Sequence, residues 1–266
     1  MPLKEILVVL DSADHCDARL KLAVELAARH GADLAGLYVV THQFYVPARD
    51  DAGETGEKVR AMFEAVGAAA GVATRWIGAE SNVVGVSAAE IVNLHAHYFD
   101  LVIVGQDLPE GKESILPQGL PERVIIGSGR PVLIVPYAGE HGRAWERIMV
   151  AWKGGRESTR AMADALPLLK KADDVCVLEI DPGKGEEHCG ERLRGYLAAH
   201  GIGTRGKSVA ATEIGIGNIL LNRIAVEGST LLVMGGYAPM RLGSPALGEV
   251  ARHILKHMTV PVLMSH

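Results

Sequence analysis

His253 and His257 stand four residues apart, and Glu249 precedes His253 by four, a spacing that puts all three on one helix face where they could ligate zinc. No further ligand follows at a matching distance. The intervening Leu247, Val250, Ala251, Ile254, Leu255 and Met258 form an apolar stripe that turns the histidines toward solvent. They read as surface residues, with His257 favoured by the dipole of its helix end. His15-Cys16 and His188-Cys189 are matched dipeptides, one before a first helix and one inside a second, so coincidence is the simpler reading than one shared site. Gly215-Ile216-Gly217 is half of a dinucleotide fingerprint without its third glycine or its acidic ribose residue, and reads as a helix-start turn. Ser12 and Ser244 lie in no nucleophile-elbow sequence, and His95 and His97 end a helix. Nothing here demands a catalyst, and no metal site is expected.

The elements that must position these groups are written twice. Ile6-Leu7-Val8-Val9-Leu10 is echoed by Ile148-Met149-Val150-Ala151-Trp152, Leu101 to Gly105 by Leu231 to Gly235, and Pro131 to Val135 by Pro261 to Met264. Short apolar runs alternate with helix-length amphipathic stretches, the pattern of a parallel sheet covered on both faces. The first copy predicts strands at 4–10, 33–40, 73–78, 100–105 and 131–136, and helices at 17–30, 57–70, 87–98 and 121–128. The second predicts strands at 147–152, 174–180, 204–209, 230–235 and 260–264, and helices at 156–170, 186–199, 217–226 and 246–257. Ser87-Ala88-Ala89-Glu90 is a capping box. Pro167 should kink its helix. The first copy carries about a dozen extra residues, assigned to the loop 41–57 on the ligand-binding edge, where it would act as a lid or a plug. We expect a first domain at 1–138 and a second at 144–266, with strands 131–136 and 260–264 pairing across the boundary so that neither leaves an exposed sheet edge.

Composition bounds the partners. The 266 residues suit two domains, and 48% hydrophobic with 22% charged residues is a globular balance. A net charge of -5 gives no electrostatic reason to expect nucleic acid or an anionic membrane. No apolar run reaches membrane-spanning length, no secretory signal is read, and three cysteines, Cys16, Cys176 and Cys189, make no disulfide framework, so a cytoplasmic setting is expected.

In order and content these repeats resemble a tandem universal stress protein, a resemblance that covers the whole chain and is strongest in the second half. Met234-Gly235-Gly236-Tyr237, the run His257 to His266, and Arg160-Ala161 with Ala165-Leu166-Pro167-Leu168-Leu169 carry it. The resemblance implies an α/β fold of two doubly wound domains, each a five-stranded, mainly parallel sheet in the order 3-2-1-4-5 with helices on both faces. It also implies an ATP site at the switch point between the first and fourth strands. The family's nucleotide motif is a glycine after strand four, another three residues on, nine residues, then glycine and serine or threonine. Here Gly235 matches, followed by Gly236, while Ala238 replaces the second glycine. Gly248 matches, and Glu249 replaces the hydroxyl residue and competes for the helix dipole. Lys153 stands where the family has an aspartate after strand one. In the first half Asp11 keeps that acid and Gly105 the first glycine, but no second glycine follows and Pro109, Pro117 and Pro121 remove N–H donors.

The first site is therefore read as degenerate, and the second as the candidate: Lys153, Gly235, Gly236, Ala238, Gly248 and Glu249. The expected function is a non-enzymatic stress-response binding or adaptor protein with an adenine-nucleotide or other small-molecule site in the second domain. Two alternatives stay open, an ATP-binding sensor or slow ATP hydrolase, and a metal or redox sensor using Cys16, Cys189 and the histidines. An intramolecular pseudo-dimer, an unnamed protein partner and a homodimer complete the expected partners.

Overall fold

A computed structural model describes residues 2–13, 16–41, 52–81, 86–109, 116–139, 145–180, 189–210, 215–236, 240–241 and 244–266. The chain divides into two units, residues 2–142 and 143–266.

The first unit runs β1 (Glu5–Leu10), α1 (Cys16–His30), β2 (Asp33–Thr41), α2 (Ala52–Ala69), β3 (Thr74–Ser81), α3 (Ala88–Ala96), β4 (Leu101–Gly105), α4 (Leu120–Gly127) and β5 (Val132–Val135). Its strands are all parallel, in the order β3-β2-β1-β4-β5. Ile6 to Leu10 and Leu101 to Val104 are buried on both faces, which is why these runs are apolar throughout rather than alternating. Right-handed crossovers that move one way along the sheet and then back place α1 beside α2 and α3 beside α4. The predicted capping box forms: Ser87 Oγ accepts from Glu90 N at 3.3 Å, and Glu90 Oε2 accepts from Ser87 N at 2.7 Å.

The second unit runs β6 (Arg147–Trp152), α5 (Arg156–Leu169), β7 (Asp174–Ile180), α6 (Cys189–Ala199), β8 (Arg205–Val209), α7 (Ile216–Glu227), β9 (Leu231–Gly235), β10 (Met240–Arg241), β11 (Ser244–Pro245), α8 (Glu249–His257) and β12 (Val262–Ser265). Its parallel strands repeat the order as β8-β7-β6-β9-β12. α5 lies over β6, β9 and β12, and α7 packs beside α8. α5 continues through Pro167 to Leu169, with the proline in its last turn.

Three local expectations change. The extra length of the first copy is mostly helical: α2 begins at Ala52 and has 18 residues, whereas its counterpart α6 has 11. Gly53 and Gly56 are poor helix formers and hid that start. The rest of the proposed lid, residues 42–51, lies outside the described residues. α8 begins at Glu249 rather than 246, because Gly248 has extended backbone and acts as the N-cap. Finally, β10 and β11 form a two-residue antiparallel ladder between Gly235 and Gly248, which no apolar alternation announces.

Candidate functional site

In both units the C-terminal ends of the first and fourth strands make the switch point, where a doubly wound sheet opens a crevice for ligands. In the first unit this crevice is filled by the chain itself. Asp11, just past β1, is 2% exposed, and its Oδ2 accepts from Arg19 Nη2 of α1 at 2.9 Å. Arg19 is 1% exposed, and its Nη2 also reaches Cys16 Sγ at 3.3 Å. Asp11 Oδ1 takes the Ala13 N–H at 3.0 Å. The acid that the resemblance expects after the first strand is thus committed to an internal ion pair.

The other side of the crevice is closed similarly. Asp107, two residues after Gly105, accepts the Gly119 N–H at 3.0 Å at the start of α4, so a carboxylate of the chain stands where an anion would. Burial pushes the Asp107 carboxyl above the usual range; the Gly119 N–H opposes that and Glu122 adds to it. Gln118 Nε2 donates to Leu108 O at 2.9 Å, and the Tyr137 N–H donates to Gln106 Oε1 at 3.2 Å. What remains between Asp11, Arg19, Gly105, Asp107, Gln118 and Pro121 is a cavity of about 20 Å³. That is room for about one water and none for a nucleotide.

The second crevice is built differently. Lys153 follows β6 and is exposed. Gly154 and Gly155 carry positive φ angles of 75° and 86°, and Gly155 is the N-cap of α5, with no capping side chain. α8 likewise starts from Gly248 without a capping side chain, and exposed Glu249 is its first residue. Gly235 ends β9, and a Cβ there would lie 2.7 Å from the Glu157 carbonyl carbon and the Ser158 nitrogen. This glycine is set by the close approach of α5, a packing demand that the motif alone did not announce. Gly236 donates its N–H to Ser265 O at 2.8 Å, and its carbonyl lies 3.0 Å from His266 Nδ1. Ala238 lies outside the described residues.

Arg19 escaped the sequence reading. The signal was present, since a charge on the apolar stripe of α1 beside Leu20, Ala23 and Ala27 needs a buried partner, and Asp11 stands eight residues back, just past β1. The redox and metal candidates also change. Cys16 and Cys189 are each the first residue of a helix, so the two dipeptides share a local context, although His15 and His188 lie outside the described residues. Burial raises the Cys16 thiol above its ordinary value despite the Arg19 charge, so it is held as an inert thiol. Cys176 is buried in β7. His253 is half-buried rather than on the solvent side: its Nε2 lies 2.8 Å from Asn218 Oδ1, its ring packs on Gly217 of α7, and His257 stacks against it at 4.7 Å. Among the described residues no group of three or more His, Cys, Asp or Glu could hold a metal ion, and no helix is long and apolar enough to cross a membrane.

Comparison with known proteins agrees with this architecture. The universal stress protein family matches residues 2–136, the half whose loops depart furthest from the nucleotide motif. A universal stress protein from Archaeoglobus fulgidus superposes with a TM-score of 0.76 at 17% identity, over 98% of this chain and 97% of its own. A protein of unknown function from Pseudomonas aeruginosa superposes at 0.65 with 16% identity, over 99% and 92%. A search of the curated proteins finds no match. The chain belongs to the universal stress protein family, and its fold is that of a tandem member.

Proposed function

We propose that this universal stress protein is a non-enzymatic binding protein of the stress response, with one small-molecule site, in its second unit, that takes a phosphate-bearing ligand of the adenine-nucleotide class. One observation carries the reading. The first switch point is spent on internal bonds, Asp11 with Arg19 and Asp107 with Gly119, whereas the second presents Lys153 and two glycine-capped helix starts at the same edge. Helix N-termini and a nearby cation favour an anion. Lys153 in place of an acid removes the group that would accept from ribose hydroxyls, so binding rests on the phosphates more than on the nucleoside.

Glu249 opposes that ligand. As the first residue of α8 it puts a carboxylate at a dipole end that would otherwise face phosphate. Replacing it with serine should raise ATP affinity on the order of tenfold, about 1.4 kcal/mol, with the gain shrinking at high salt. Calorimetric titration of wild type and Glu249→Ser, together with native mass spectrometry for a copurified nucleotide, tests the reading. Equal affinity at low salt would remove Glu249 from the site, and no binding to either protein would overturn the proposal.

A further inference from the structure

At the C-terminal edge of the second sheet the pairing of β9 with β12 continues past the strands. Ser265 of β12 pairs with Gly235 of β9, and one step on the Gly236 N–H donates to Ser265 O at 2.8 Å. The next residue, His266, is half-buried and holds its ring Nδ1 3.0 Å from Gly236 O. A carbonyl oxygen only accepts, so Nδ1 carries the hydrogen of this bond. That sets the tautomer, and Nε2 is the nitrogen left to gain or lose a proton. Both backbone groups of Gly236, a residue of the candidate nucleotide loop, are thus engaged by the chain, and an imidazole is anchored beside it.

The first unit shows that the fold does not require this ring. There Gly105 pairs with Val135, and the Gln106 N–H donates to Val135 O at 2.8 Å, so the same backbone bond extends the ladder. Gln106 therefore corresponds to Gly236, and Pro136 to His266. Gln106 is 5% exposed, and its Oε1 accepts the Tyr137 N–H. Where the closed crevice has a buried amide bonded within the chain, the second has a glycine and a histidine. The charges at the same edge are of both signs. Lys153 follows β6, Arg156 and Glu157 open α5, which packs over β12, and Glu249 opens α8. Arg241 lies in β10, and Glu179 of β7 accepts the Gly190 N–H.

We infer that His266 is a ligand contact of the second switch point: protonated Nε2 donates to a phosphoryl oxygen of the bound anion. Lys153 and the starts of α5 and α8 supply the rest of the positive field. This contact deepens the proposed binding of a phosphate-bearing ligand and rests on it. β12 delivers the residue to the edge where a doubly wound sheet takes its ligand, and the bond to Gly236 holds the ring without using Nε2. Histidine is the side chain whose charge changes between about pH 5 and 8. An anion on Nε2 favours the charged ring, so by linkage binding takes up a proton and affinity rises as pH falls. A lysine contact gives no such signature in that range.

The test uses the full chain, with AMP as ligand and sulfate as a phosphoryl stand-in whose own charge is constant across the range. His266→Asn keeps an amide donor for Gly236 O and removes the nitrogen that titrates, so the bond within the fold survives. Whatever charge the main chain carries at residue 266 is common to both proteins. Wild type should bind sulfate about fivefold more tightly near pH 6 than near pH 8, with protons taken up on binding, and His266→Asn should lose that gain. AMP takes up a proton of its own in this range, so there the two proteins are compared at each pH, and wild type should gain on the variant as pH falls. A readout that needs no variant is the His266 ring resonance in wild type, whose titration midpoint should rise when the anion is bound. Equal pH profiles in the two proteins for whichever anion binds, or a ring midpoint that ignores the anion, would overturn the contact. AMP binding in that case still upholds the broader reading. If neither anion binds near pH 6, both fall together.

Discussion

The two switch points of this chain have the same backbone plan and opposite solutions for their polar groups. The register that sets Glu5 opposite Asp33 sets Arg147 opposite Asp174, so Asp11 corresponds to Lys153 and, by the same offset, Arg19 to Ala161. In the first unit the acid and the base face each other 2.9 Å apart and are both buried. In the second the base has become a buried alanine and the acid an exposed lysine. A repeated fold keeps its strands because burial demands them, while its crevice residues are free to bond with one another or with a ligand. Once they bond with one another, the crevice becomes part of the core.

The largest expected effect breaks that contrast by removing the internal base. Arg19→Ala leaves Asp11 buried without its partner, and removal of one member of a buried pair costs on the order of 3–5 kcal/mol. Lys153→Ala, at the equivalent edge of the other unit, should change stability by no more than about 0.5 kcal/mol, as surface substitutions usually do. Hydrogen exchange read separately in the core strands of each unit distinguishes them. Small and equal changes would mean that Asp11 and Arg19 contribute little, and the account of the closed site would fail.

A smaller effect sharpens what Gly235 does. Its first-unit counterpart Gly105 lines the closed crevice, whereas Gly235 lies against the backbone of α5. Backbone atoms at 2.7 Å cannot rotate away as a flexible side chain can, so Gly235→Ala must shift the helix start. Overpacking of this kind costs about 1–3 kcal/mol, seen as a lower unfolding midpoint for the second unit. A neutral substitution would show that α5 is held more loosely than its packing implies.

Periodicity made the frame legible. The bounds of β6 and β7 follow from apolar runs closed by polar residues, and the α3 start follows from Ser87 and Glu90, since those are local signals. The start of α2 was hidden because tertiary packing carries its glycines into a helix against their propensity. The β10–β11 ladder was hidden because two residues per strand hold no period. At the sites, the loops could be read but the bonds between them could not. Asp11 was legible as an acid after a strand, yet its fate depends on Arg19, a residue eight positions on, and on the phase of α1.

The smallest expected effect concerns the carboxylate that closes the first crevice. Burial raises the Asp107 carboxyl above its ordinary value, and Glu122 adds to the shift, while the Gly119 N–H bond pulls the other way and loses. The folded protein therefore holds the proton more tightly than the unfolded chain does. Above the raised value the buried charge weakens the first unit, and that cost disappears as pH falls through it. Asp107→Asn keeps an acceptor for Gly119 and carries no charge at any pH, so it should be modestly more stable than wild type at neutral pH. The advantage should fade in the acid range between the raised value and the ordinary one, and vanish below it. Arg19 and Asp11 line the same cavity, so the comparison belongs in an otherwise unaltered chain. Thermal unfolding of both proteins across that range checks the sign. A variant that is less stable at neutral pH would mean that the charged bond to Gly119 outweighs the burial, so that the carboxylate holds the crevice shut as a favourable contact rather than as a tolerated cost.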